Sequence, residues 1–328
     1  MISTLQRILV VGGNGFIGSA ICKVALAKGI QVTSVSSSGL PYRSAKGHAP
    51  AWVSQVDWRK GDALHPETFA HIFPEVDGVV HTLGTLIANS SYKQAIKRGD
   101  ILGLLGSLRD SVVGGHGNPL ERPTSEAVRG SYDVLNRDTA LRVCEAFVTS
   151  TDTRTQNFPR PFVYISAEDI FRPVIPARYI ETKREAEQGI ESLLDGKPGY
   201  RGVYIRPSLV YHAHHRPLST PAAMLYDLSA TLHTKAPPSL PTPSSVLRHI
   251  GACLQQGQTS TSPWESIANA LTIPPIHVDH VAMAICAVLN PDNPVRGVIG
   301  VRQMRELIGW MEHGAESSLS ENLHNHRV

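Results

Sequence analysis

The chain has 328 residues and 41% hydrophobic side chains, enough to bury a large core in one extended α/β domain or one domain with a smaller lobe. Its net charge of +3 comes without a Lys/Arg-rich block or a basic stripe interleaved with aromatics, which argues against a nucleic-acid partner. No apolar run of the ~18 residues a spanning helix needs is present, so any membrane association is expected to be peripheral at most, and neither a secretory signal nor an Arg/Ser-rich transit peptide is read ahead of Arg7.

The chain opens on a short apolar strand, Ile8–Val11, followed by Gly12-Gly13-Asn14-Gly15-Phe16-Ile17-Gly18 and a helix over Phe16–Lys28 that ends at Gly29. Glycines at this spacing between strand and helix let the backbone approach a pyrophosphate, and the first helical amides point at it. The plainer reading is a structural turn. A second strand spans Gln31–Ser36. Dinucleotide sites that take NAD usually carry an acidic side chain at this strand end. Here Ser36, Ser37 and Ser38 stand there, with Arg43 beyond. Hydroxyls and a nearby cation suit a 2′-phosphate, which favours NADP(H) over NAD(H); otherwise they form a solvated loop. A third strand is expected near Trp52–Arg59, then Asp62, placed either to contact adenine or to hold a turn. A short helix near Glu67–Phe73 and a fourth strand at Gly78–His81 follow. Continuous apolar strands alternating with helices predict a doubly wound parallel sheet of Rossmann type.

The rhythm breaks over about 87–130, which reads as an insertion above the carboxyl edge of the sheet. Its helix Tyr92–Leu105, with Lys93, Lys97 and Arg98 on one side, is expected to pack on the core rather than touch anionic lipid. A helix over Ser131–Val148 carries Asn136. Strand Pro161–Ile165 ends at Ser166, whose hydroxyl can orient a substrate carbonyl. Helix Arg178–Leu194 holds Tyr179 and Lys183 at i and i+4, on one face. A neighbouring ammonium stabilises a phenolate and makes the phenol a better acid–base group near neutral pH, and it can also hold the nicotinamide ribose. The plainer reading of this pair is a surface helix face.

After strand Gly202–Ile205 and Arg206-Pro207 the composition shifts, with a proline-rich connector at Pro237–Pro243, a helix near Val246–Gln255, a strand at Ile276–Val278, a helix over Asp279–Leu289 and a last helix over Gln303–Glu312. These elements suggest a binding domain over 1–210, a small C-terminal lobe over 211–312 interleaved with it, and a disordered tail over 313–328. His212, His214 and His215 lack Cys, Asp or Glu at a local ligand spacing, so no metal is expected. The four cysteines (Cys22, Cys144, Cys253 and Cys286) are far apart without CxxC spacing and read as buried thiols in a reducing interior.

The succession of glycine loop, four strands, Asn-bearing helix, strand ending in serine and Tyr-x-x-x-Lys resembles the short-chain dehydrogenase/reductase superfamily. The likeness is to its extended or atypical branch of NAD-dependent epimerase/dehydratase type, with a small C-terminal substrate lobe. It covers roughly residues 7–300. The resemblance implies Tyr179 as acid–base, Lys183 as its partner, Ser166 as polariser and Asn136 as a helix-positioning residue. It also implies cofactor contacts from Gly12, Asn14, Gly15, Phe16, Ile17, Gly18, Ser36, Ser37, Arg43 and Asp62, from His81, Leu83 and Gly84 after the fourth strand, and from Tyr179, Lys183 and Pro207. The strings Val80–Gly84, Ser91–Gln94, Gly117–Leu120, Tyr164–Ala167 and Tyr179–Glu187 resemble the fungal mitochondrial members of this branch that belong to the coenzyme Q (ubiquinone) biosynthetic complex. More distantly they resemble the dehydrogenase-like accessory subunit of respiratory complex I. That likeness implies a mitochondrial location on the matrix side of the inner membrane, a quinone-type or isoprenoid small molecule and other coenzyme Q biosynthesis proteins as partners. It implies either oxidoreductase action on a quinone precursor or modulation of the complex, the alternative being a non-catalytic nucleotide-binding scaffold. One departure stands out: Glu168 and Asp169 put two carboxylates beside the site of a developing oxyanion, which they disfavour unless they face solvent.

Overall fold

The computed structural model describes residues 6–44, 46–85, 132–150, 158–170, 172, 175–212, 227–231, 233, 242–254 and 263–310. The expected insertion over about 87–130, including Tyr92–Leu105, lies outside these residues, as do His214, His215, most of the proline-rich connector and the C-terminal tail.

The main sheet is built from β1 (Arg7–Val11), β2 (Gln31–Ser36), β3 (Asp57–Lys60), β4 (Gly78–His81), β5 (Arg160–Ile165), β6 (Tyr200–Ile205) and β9 (Gly297–Ile299). The order is β3-β2-β1-β4-β5-β6-β9 and every pairing is parallel. β1, β4 and β5 are apolar and almost wholly buried, as strands covered on both faces must be. One face is covered by α1 (Phe16–Ala27) and α6 (Val278–Val288), joined to Ile8, Val10, Val80, Val163 and Val203 in one core. The other carries α2 (Thr139–Thr149) and α3 (Ala177–Leu194), with Leu9, Val79, Phe162, Tyr164, Phe147 and Ile190 between. Past β6, the short parallel pair β7 (Val210–Tyr211) and β8 (Ile276–His277) stands apart from the main sheet, and α4 (Pro243–Leu254) and α5 (Pro263–Thr272) pack on each other. A final helix, α7, runs over Val301–Leu307.

Three expectations need correction. The third strand begins at Asp57, because Pro50 starts a 3-10 turn over Ala51–Gln55 that buries Val53. The helix that bears Asn136 begins with a wide π-helical turn, Asp133–Asp138, before α2 proper. The last helix starts earlier, at Val301, and β9 ahead of it joins the main sheet. Cys22, Cys144 and Cys286 are buried free thiols, and burial pushes each of them up to about 12.

Candidate active site

β1 delivers the glycine loop to the middle of the carboxyl edge, where the order of strands reverses between β1 and β4. That crevice is where open α/β sheets take their ligands. Gly12 has φ of +92°, and a methyl there would sit 2.6 Å from Thr82 Oγ1. At Gly18 a methyl would sit 2.3 Å from the Gly12 carbonyl oxygen, so glycine is what lets α1 close onto the loop. Gly15 N–H donates to Gly12 O at 3.0 Å, tightening the turn, and Phe16 and Ile17 pack against the core. Gly15 caps α1 without a side-chain hydrogen bond, and no acidic residue stands in its first turn. First-turn amides without a capping side chain or a nearby carboxylate fit an anionic pyrophosphate.

Beside the loop, Asn14 Nδ2 donates to Ser36 Oγ and Ser38 Oγ, both at 3.3 Å, and to Leu40 O at 3.4 Å. The end of β2 is therefore a platform of hydroxyls with no carboxylate among Ser36, Ser37 and Ser38. Ser37 is exposed on it. Arg43 is also exposed, and its Nη1 donates to Gly47 O within its own loop at 3.4 Å. Asp62 is exposed after β3, where its carboxylate accepts from Leu64 N–H at 3.0 Å, as a turn aspartate does.

Further along the edge, the ends of β4 and β5 meet α3. Lys183 is almost wholly buried, and its Nζ donates to Ile165 O at 2.8 Å. The same ammonium lies 4.7 Å from the centroid of the Tyr164 ring. A methyl on Gly84 would come within 2.7 Å of Lys183 Nζ and 3.0 Å of Asn136 Oδ1, so Gly84 leaves room for both. Asn136 is fully buried; its Oδ1 accepts from Thr85 N–H at 2.9 Å and its Nδ2 donates to Thr182 Oγ1 at 3.3 Å. The π-helical turn aims its backbone carbonyl at the Tyr164 hydroxyl, which donates to it. Wide turns of this kind recur at functional sites. Sequence periodicity carries no signal for one. Tyr179 lies in the first turn of α3, its ring edge-on to Tyr132 at 6.1 Å.

Burial pulls Lys183 down from 10.5 to about 7, partly offset by the negative charge of Glu187. His81, fully buried in β4, is pulled to about 3 by burial and by the Lys183 charge, so it is neutral at working pH. Neither of its ring nitrogens has a hydrogen-bond partner among the described residues. Leu83 packs partly buried on the core beside the loop.

Ser166 is buried and its proton is engaged. Its hydroxyl donates to Glu187 and accepts from Arg184 Nη1 at 3.0 Å. Glu187 also accepts from Arg184 at 2.9 Å and from Arg206 Nε at 2.9 Å. This network of Glu187, Arg184 and Arg206 has no counterpart in the expectations from sequence. Its clue was helical spacing: Lys183 and Glu187 lie four apart on the side that turns inward. The two loop carboxylates do not face open solvent. Asp169 pairs with Arg172 at 2.8 Å, and burial pushes Glu168 up, against the pull of Arg184 and Arg206. Pro207 contributes its carbonyl, which accepts from Glu168 N–H at 3.0 Å.

Comparison with known proteins agrees with this arrangement. The model of the NAD dependent epimerase/dehydratase family matches residues 8–105. MIOREX complex component 2 of Saccharomyces cerevisiae is 31% identical over 215 residues, 64% of this chain and 74% of that protein. A 2-alkyl-3-oxoalkanoate reductase of Stenotrophomonas maltophilia is 25% identical over 63% of this chain and 51% of its own length. Among solved structures, an oxidoreductase of the short chain dehydrogenase/reductase family from Burkholderia thailandensis superposes with a TM-score of 0.54 at 16% identity, covering 91% of this chain and 92% of that one. A 3-oxoacyl-[acyl-carrier protein] reductase from Brucella melitensis in complex with NAD gives 0.51 at 13% identity, over 88% of this chain and 91% of its own. With 31% identity to a relative of which it covers 74%, and a family match that spans the glycine loop, the chain belongs to the NAD dependent epimerase/dehydratase family.

Proposed function

We propose that the chain binds NADP(H) in preference to NAD(H) and acts as an oxidoreductase on a carbonyl or alcohol of a quinone precursor, within a mitochondrial complex of coenzyme Q biosynthesis. The observation that carries the oxidoreductase reading is the buried ammonium of Lys183 on the helix of Tyr179, beside Gly84 and Asn136 at the carboxyl edge. The preference for NADP(H) rests on the hydroxyl platform of Asn14, Ser36 and Ser38, with exposed Arg43 beyond it. The location and the partners rest on the resemblance of the sequence motifs, and assembly into a complex also on the name of the yeast relative.

In this reading the glycine loop and α1 hold the pyrophosphate, and Lys183 holds the ribose next to the nicotinamide. The bound nicotinamide supplies or takes the hydride. Tyr179 exchanges a proton with the substrate oxygen, and the cation one turn along favours its phenolate. As arranged, the Ser166 hydroxyl donates to Glu187 and accepts from Arg184, which leaves one lone pair for the substrate and suits an alcohol. Polarising a carbonyl there requires the hydroxyl to turn its proton away from Glu187.

The engaged proton of Ser166 also favours a second reading, a nucleotide-binding scaffold that needs no turnover. Two measurements separate the readings. Native mass spectrometry and thermal shift with NADPH and NADH are expected to show tighter NADPH binding, with stabilisation that grows with ligand concentration. Complementation of a quinone-deficient host with Tyr179→Phe is expected to fail while nucleotide binding persists. Full rescue by that variant would remove the enzyme reading and leave the scaffold.

A further inference from the structure

Tyr164 takes no part in the proton exchange described above, yet it touches Lys183, Asn136 and His81. It is fully buried in β5, in register with His81 of β4. Its ring face bears the Lys183 ammonium at 4.7 Å, and its hydroxyl donates to the Asn136 carbonyl. We propose that Tyr164 is a positioning residue of this site: its ring carries the Lys183 charge and its hydroxyl fixes the turn that holds Asn136. The charge on Lys183 then depends on the electron density of the ring.

The other neighbours leave this task open. The hydrogen bond from Lys183 to Ile165 O satisfies one of its three protons. Among the described residues, the titratable groups set against the ammonium are His81 from β4, Tyr164 from β5 and Glu187 from α3, while Tyr179 and Arg184 of α3 act on Tyr164. Glu187 is engaged by Ser166, Arg184 and Arg206, and His81 is neutral and would repel the lysine if protonated. Burial pushes the Tyr164 phenol well up, so it stays a neutral ring whose negative face attracts a cation. Such contacts are strongest where water is excluded.

The inference rests on the reading of Lys183 as the partner of Tyr179 only for its consequence in turnover; the charge itself is measured without it. Stability against pH is recorded by urea unfolding of the full chain, with Lys183→Met subtracted to isolate the lysine. Tyr164 is replaced by phenylalanine and then by mono-, tri- and pentafluorophenylalanine, which keep the shape and progressively empty the ring face. The lysine-dependent rise in stability should begin near pH 7 with phenylalanine. It should move down step by step with fluorination, by about one pH unit in all. An onset that stays fixed across the folded members of the series overturns the proposal. Because no turnover is read, that failure is distinct from failure of the complementation test.

Discussion

Taken away from water, an ammonium favours its neutral form, which is why burial draws Lys183 to about 7 even though the Ile165 carbonyl and the Tyr164 ring support its charge. The unfolded chain binds that proton up to about 10.5, so between pH 7 and 10.5 it holds more protons than the folded one and stability rises with pH. Below 7 the charge is buried and the full cost remains. Lys183→Met is therefore expected to stabilise the protein at pH 6, by roughly 1–3 kcal/mol once the lost hydrogen bond is set against the relieved charge. The same variant should lose any turnover. Urea unfolding at pH 6 and pH 10 checks this: the advantage of the variant should shrink at the higher pH, and an unchanged difference would refute the assignment.

At the scale of elements, the turn from β1 into α1 is a close approach of two backbones rather than a flexible link. A methyl at Gly18 meets the Gly12 carbonyl at 2.3 Å, and backbone has little freedom to give way. Gly18→Ala is expected to cost about 2–4 kcal/mol by overpacking and to weaken nucleotide binding at least tenfold; thermal unfolding and nucleotide titration measure both. This turn was legible in the sequence because its glycine spacing is itself the steric requirement. That Tyr179 and Lys183 share one helix was legible for a similar reason, since helical spacing fixes which positions share a face. The Ser166–Glu187–Arg206 network was not, because its members come from β5, α3 and the end of β6 and meet only in space. The helix over Pro263–Thr272 also escaped notice, and β9 was invisible in a stretch of three residues between Arg296 and Gly300. Too few positions alternate there to give a period.

For the whole molecule, the late return of the chain to the sheet matters most. Residues well past the first six strands supply both α6, which packs on α1, and β9, which pairs with β6 through Val203–Ile205. Arg201 ties this return in place from within β6: its guanidinium is buried and donates to Val295 O at 2.5 Å and Val288 O at 2.6 Å. Removing the chain from 297 onward leaves the apolar β6 without its neighbouring strand. The shortened protein is expected to be recovered mainly as soluble aggregate or pellet, measured by size-exclusion chromatography beside the full chain; a monomer with unchanged unfolding would contradict it.

The consequence reaches back to synthesis. Until Gly297–Ile299 is made, β6 is an open border whose unpaired amides and carbonyls can recruit a strand from another nascent chain. The segment between β6 and β9 thus sets how long the protein is exposed to its own copies, and a slow passage through it would lower the yield without touching a single residue of the nucleotide crevice.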